Sequence, residues 1–106
     1  MSRIDKFQHL IDYLSDDKTL RGLITRYIVI LYIQNIDSFF TCKMDHDKEN
    51  NKPFIDFIES VSEIKYDERD DFLLNGGLKK FIQLIKSLND YELLCCYDGQ
   101  LCQYYS

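Results

Sequence analysis

The side chains with the clearest capacity for chemistry in this 106-residue sequence are its carboxylates, which are concentrated in the middle third. Residues 37–71 contain eleven acidic and five basic residues, a net charge of −6. Residues 1–36 and 72–106 have net charges of +1 and 0, so the whole chain carries −5. This localised negative charge favours a basic protein partner. It disfavours nucleic acid and anionic membranes as direct ligands, because both attract clustered Lys and Arg.

Five carboxylates of this region follow the spacing of a single helix face. They are Asp56, Glu59, Glu63, Asp67 and Asp70, and we call them the acidic ridge. If one helix runs from Pro53 to Asp70, a rotation of 100° per residue places them within an arc of about 80°, in a line roughly 20 Å long. Stacked like charges destabilise a helix by about 0.2–0.5 kcal/mol per pair, which suggests that such a ridge has a function. We therefore predict that these residues bind the partner.

The alternative is that the ridge is simply a solvated helix face. Charge runs on helices usually have that role, and Lys65 and Arg69 reduce the net charge of this one. The sequence leaves both interpretations open.

No catalytic signature is present. Neither His9 nor His46 has a Ser or Cys nucleophile at a meaningful spacing, and the Asn75-Gly76-Gly77 segment lacks the pattern of a phosphate-binding loop. The adjacent carboxylates Asp70 and Asp71 would point about 100° apart on a helix, which prevents them from sharing a proton. We predict that the protein is not an enzyme and uses no cofactor.

Metal binding is also not predicted. Asp45, Asp47 and Glu49 resemble the start of a calcium loop, but Asn50 stands where that loop needs Gly, and Asp56 stands where it needs Glu. A zinc site could draw on Cys42, His46, Cys95, Cys96 and Cys102, but no CxxC pair supports it.

The cellular location is predicted from what the chain lacks. Residues 1–14 carry several charges and no apolar core of a signal peptide. The most apolar run, Tyr27–Ile33, is far shorter than the roughly 20 residues of a membrane span. We expect a cytoplasmic protein with reduced cysteines.

The apolar pattern predicts a single, mainly α domain of four helices that would position these groups. The first is capped by Ser2 and ends before Ser15, and the second runs from about Thr19 to Phe40. Ile28-Val29-Ile30 within the second is also compatible with a buried strand. The third begins at Pro53 after a polar loop, and the fourth follows the break at residues 75–77.

Residues 93–104 do not have a clear helical pattern. They form two β-compatible runs on either side of Asp98-Gly99. Asp-Gly pairs favour two-residue hairpin turns, because both turn positions need a positive φ. We predict a C-terminal β-hairpin in which Cys95 faces Cys102. The alternative is that the fourth helix continues to about Tyr97.

In size, charge and architecture the chain resembles bacterial toxin-immunity proteins, such as those that neutralise colicins and contact-dependent inhibition toxins. The resemblance is carried by Asp16-Asp17, by the acidic ridge, and by the cluster from Asp67 to Asp71, and it covers residues 1–90 without a shared motif. It implies stoichiometric inhibition, in which carboxylates mimic nucleic-acid phosphates and occupy the cationic cleft of a nuclease toxin. It also implies exposed aromatic anchors, for which Tyr66, Tyr104 and Tyr105 are the candidates.

Two other functions are compatible with the sequence. A phage- or virus-encoded inhibitor of a host nucleic-acid-binding defence protein would use the same surface. A structural oligomer subunit would instead pair its C-terminal strand with that of another copy. The sequence leaves the oligomeric state undetermined.

Overall fold

The computed structural model describes residues 4–39 and 51–105, apart from the side chains of residue 38 and residues 99–105. Within these ranges the chain is mainly helical and has no strand, which confirms the predicted class. The helices are α1 (Asp5–Leu14), α2 (Leu20–Gln34), α3 (Lys52–Ser62), the single turn α4 (Arg69–Phe72), α5 (Leu78–Lys86) and α6 (Asp90–Tyr105). None of the helices in the described ranges has the length and apolar character needed to cross a membrane.

Helix α2 is shorter than predicted. It begins where the Thr19 hydroxyl accepts a hydrogen bond from the Gly22 N–H at 3.1 Å. It ends at Asn35 rather than at Phe40, and the chain continues into a 3₁₀ turn at Ile36–Ser38. The alternative of a strand at residues 28–30 is wrong, because these residues lie inside α2.

The core is organised around one aromatic ring on α5. Phe81 stacks on Tyr32 of α2 with ring centroids 4.3 Å apart, and on Phe54 and Phe57 of α3 at 5.6 and 5.9 Å. Such pairs each add about 0.5–1.5 kcal/mol beyond the burial of their area. Helix α5 therefore packs between α2 and α3, and it holds the two sides of the molecule together.

The predicted break at residues 75–77 is confirmed as a kinked segment, Leu73–Gly77, that joins α4 to α5. Asn75 leaves helical geometry, and Gly76 has a φ of 112°. This left-handed conformation is readily adopted by Gly because it has no Cβ.

The predicted hairpin is wrong, because residues 90–105 form helix α6. The helix starts at a capping box: the Asn89 side chain accepts from the Glu92 N–H at 2.8 Å, and the Glu92 carboxylate accepts from the Asn89 N–H at 2.9 Å. Leu93 and Cys96 then pack into the core at helical spacing. The alternative is also wrong in part, since Tyr97 is helical but belongs to a new helix and not to an extension of α5. The predicted facing of Cys95 with Cys102 depended on the hairpin, and the Cys102 side chain lies outside the described residues.

Candidate functional site

The acidic ridge is not one continuous helix face. Helix α3 ends at Ser62, so it carries Asp56 and Glu59, with Glu63 at its C-cap. Two hydrogen bonds that span three residues instead of four close the helix. They run from Glu63 N–H to the Ser60 carbonyl and from Ile64 N–H to the Val61 carbonyl. The remaining carboxylates of the ridge lie beyond this end, Asp67 in a turn and Asp70 in α4. The repulsion expected along a single charged face is relieved by this break.

Arg69 fixes the chain after the break. Its side chain is buried, and its guanidinium donates to the carbonyls of Ile64 and Ser62 at 3.1 and 2.6 Å. It also binds both carboxylate oxygens of Asp37, at 3.1 and 2.9 Å. A guanidinium is suited to this role because its planar fork of donors can satisfy several acceptors at once. Arg69 thereby connects the end of α3 to the turn that follows α2.

Tyr66 lies directly on this arrangement. The centre of the Arg69 guanidinium is 5.5 Å from the centroid of the Tyr66 ring, a cation–π contact, while 78% of the tyrosine remains exposed. The exposure that is expected for Tyr66 from the sequence is present in the structure. Its ring is supported from below by a fixed side chain.

The burial of Arg69 also changes the surface charge. Its positive charge is already paired with the exposed carboxylate of Asp37, so it does not form a pair with the carboxylates around Tyr66. We call the exposed residues of this region the Tyr66 surface; they are Asp56, Glu59, Glu63, Tyr66, Asp67, Glu68 and Asp71. The cations beside them include Lys65, which is exposed, and two that are paired with carboxylates: Lys52 with Asp56 at 3.2 Å and Lys6 with Asp70 at 2.8 Å. The region consequently presents a clear excess of negative charge.

Asp70 differs from the other residues of the acidic ridge. It is partly buried, and its carboxylate accepts from the Lys6 ammonium of α1 at 2.8 Å. This pair ties α4 to α1, so Asp70 contributes more to the fold than to the surface.

The short helix α4 stays close to α3. The Phe72 ring is 6.1 Å from the Phe57 ring, and Arg69 holds the intervening chain to the Ser62 carbonyl. The turn with Asp67 and Glu68 is therefore kept near the end of α3 that carries Glu63.

In comparisons with known proteins, no family model matches this chain, and neither a curated protein nor a solved structure matches it. The arguments about its function therefore rest on its own residues.

In the parts of the chain that the structure describes, no group of three or more His, Cys, Asp or Glu side chains could hold a metal ion. The residues that resemble a calcium loop, together with Cys42 and His46, lie outside those parts.

Sequence reasoning missed two features of the site. The first is the burial of Arg69, which was treated as a surface charge that weakens the ridge; a single arginine among four carboxylates at residues 67–71 was the available signal. The second is an exposed apolar surface between α2 and α6. It includes Tyr27, which begins the most apolar run of the sequence and is nevertheless 59% exposed.

Proposed function

We propose that this protein binds a basic protein partner through the Tyr66 surface and inhibits it by occupying its cationic site. The observation that carries the proposal is Tyr66 itself, an exposed ring held over a buried guanidinium and flanked by carboxylates. Aromatic anchors are among the residues that dominate binding energies at protein interfaces. A ring that is already fixed loses little conformational entropy on binding.

The charge around Tyr66 supports a cationic partner. Exposed carboxylates of one sign speed the encounter with a basic protein and exclude acidic ones, whereas the anchor mainly sets the rate of dissociation. A nuclease has a cleft lined by Lys and Arg to hold phosphates, and carboxylates can occupy the same positions. The proposed function is thus that of an immunity protein for a nuclease toxin.

A phage- or virus-encoded inhibitor of a defence protein would use the same chemistry. The genes beside this one distinguish the two sources, because an immunity gene adjoins its toxin gene.

The first experiment compares two tyrosines with matched exposure. After the partner has been identified by affinity purification from the native organism, its binding to Tyr66→Ala and Tyr13→Ala is measured by calorimetry. Tyr13 is the control, because 77% of it is exposed and it belongs to α1, which contributes no residue to the Tyr66 surface. We expect Tyr66→Ala to weaken binding at least about tenfold, as for an interface hot spot, and Tyr13→Ala to leave it within about twofold. Equal affinities for the two variants would contradict the proposal.

The second experiment tests the carboxylates on α3. We expect the triple variant Asp56→Lys, Glu59→Lys and Glu63→Lys to retain its helical circular dichroism spectrum and to lose partner binding, because all three side chains are exposed. Comparison of Glu63→Lys with Asp16→Lys separates a local effect from a general change in net charge. Unchanged affinity of the triple variant would remove α3 from the binding surface.

A further inference from the structure

A second surface, independent of the Tyr66 surface, lies between α2 and α6. We call it the α2–α6 face, and it consists of Leu20, Leu23, Ile24, Tyr27, Leu93, Leu94 and Tyr97. Four of these large side chains are about half exposed or more, with exposed fractions of 74% for Leu20, 48% for Leu23, 59% for Tyr27 and 47% for Leu94. Isolated exposed apolar residues are normal, but a contiguous group marks an interaction site.

The group is contiguous because α2 and α6 run side by side in the same direction. Arg21 contacts Asp90 at 2.8 Å near the start of both helices, and the rings of Tyr27 and Tyr97 meet at 6.4 Å two turns further along. Between these contacts is an open groove of about 240 Å³, floored by Ile24 and Leu93. The face is therefore a two-helix surface with a shallow central groove.

The charges on this face are sorted between its two helices. Arg21 of α2 and Asp90 of α6 border the groove, whereas Arg26 pairs with Asp12 of α1 and Glu92 is buried in the capping box of α6. Asp90 and Asp98 are exposed. The strongly acidic part of the chain, α3 and α4, lies on the other side of α5. Two copies can therefore approach through this face without bringing their acidic surfaces together.

We infer that the α2–α6 face binds a second copy of this chain. A two-fold axis parallel to the helices places α2 of one copy against α6 of the other, so Arg21 of each copy lies opposite the exposed carboxylates of α6 in the other copy. Such an interface is self-complementary, as an isologous dimer requires.

The area of the face fits a weak dimer. If a fully exposed aromatic side chain presents about 150–250 Å², the exposed fractions of this face amount to roughly 500 Å² per copy. Two copies together bury about 1,000 Å², which is the lower limit for a specific interface and is typical of reversible association. We expect dissociation in the micromolar range.

Sedimentation velocity over a wide range of concentrations tests the inference. We expect the wild-type protein to shift from the 12.7 kDa monomer to twice that mass as its concentration rises. Leu23→Glu and Tyr27→Glu should each weaken dimerisation at least about tenfold, because a carboxylate would be buried in the interface without a partner. Tyr13→Glu is the matched control and should dimerise like the wild type.

Nuclear magnetic resonance provides a reading that needs no variant. Amide signals that shift with protein concentration should belong to residues 20–27 and 90–98, while those of α3 and α4 stay constant. A wild-type protein that remains monomeric at about 0.5 mM overturns the inference, since this exceeds any micromolar dissociation constant. A dimer that is unaffected by both Glu variants also overturns it, and so does a monomer that uses this face for another protein.

These outcomes are distinct from those of the proposed function. Tyr66→Ala is expected to leave the dimer unchanged, and Leu23→Glu is expected to leave the Tyr66 surface unchanged. Failure of either proposal therefore does not affect the other.

Discussion

Two arginines, Arg69 and Arg21, bind backbone carbonyls at the C-terminal ends of α3 and α5, and each also pairs with an aspartate. Arg69 reaches back only five to seven residues, to the carbonyls of Ile64 and Ser62. Arg21 contacts the carbonyls of Ile85 and Leu88, more than sixty residues away in sequence. The comparison shows that one kind of contact serves two purposes. The carbonyl contacts of Arg69 are local and shape a surface turn. The carbonyl contacts of Arg21 are distant in sequence and hold separate helices together.

The two arginines also differ in exposure. Arg69 is buried and its partner Asp37 is 64% exposed, whereas about a third of the Arg21 side chain is exposed and its partner Asp90 is almost fully exposed. Solvent weakens a pair of the second kind. Each of the following predictions tests this difference.

The largest effect is expected from Arg69→Met. It removes the donors for two helix-terminal carbonyls and the bidentate pair with Asp37, which should lower the free energy of unfolding by about 2–4 kcal/mol. Arg69→Lys should recover little of this loss, because an ammonium cannot reproduce the planar fork. Urea unfolding of the two variants measures both values. A loss below about 1 kcal/mol for Arg69→Met would show that the buried contacts are not important for stability.

A smaller effect is expected from Arg21→Met. Its carbonyl contacts are partly exposed, so we expect a loss of about 1–2 kcal/mol. Hydrogen exchange should accelerate most at residues 85–93, where α5 ends and α6 begins. Uniform acceleration across the protein would mean that Arg21 has no local role.

The smallest effect is expected from a third arginine, Arg26, which contacts a carboxylate. It binds Asp12 of α1, and this hydrogen bond holds the pKa of Asp12 below its ordinary value of 3.8. The pKa of Asp12 is lower in the folded protein than in the unfolded chain, so the pair stabilises the fold at pH values above the ordinary pKa of Asp12. This stabilisation disappears as the pH falls through the lowered pKa. Arg26→Gln should therefore be slightly less stable than the wild type at neutral pH and equally stable in strong acid. Unfolding curves at several pH values check this, and a difference that persists in acid would assign the effect to packing.

The sequence was sufficient for features that depend on nearby residues. Three such features are present in the structure: the apolar spacing of α1, Pro53 in the first turn of α3, and the Gly-rich break before α5. Each depends only on residues a few positions away. The apolar run from Tyr27 to Ile33 lies inside the predicted second helix, and the structure places it in α2. This run did not show that Tyr27 faces outward, because that depends on which helix packs beside it.

The features that were missed have different causes. The end of α3 is set by Arg69, whose bonds to carbonyls leave no trace in the apolar pattern. Asn89 and Glu92 stand at capping-box spacing and mark the start of α6, whereas the hairpin prediction depends on Asp98-Gly99 and the runs beside it. An Asp-Gly pair inside a helix costs only about 1 kcal/mol for its glycine, and the burial of Leu93 and Cys96 outweighs this.

The way in which Arg69 holds the acidic turn has a consequence for how the surface can diversify. The Arg69 guanidinium donates hydrogen bonds to main-chain carbonyl oxygens, and every residue type has such an oxygen. A further main-chain bond, from Glu68 N–H to the Lys65 carbonyl, closes the same turn. The path of residues 63–68 is therefore insensitive to the identity of most side chains along it. Substitutions at Glu63, Lys65 and Asp67 can alter what the turn recognises while its shape is inherited unchanged, so one scaffold can acquire new specificities in single steps.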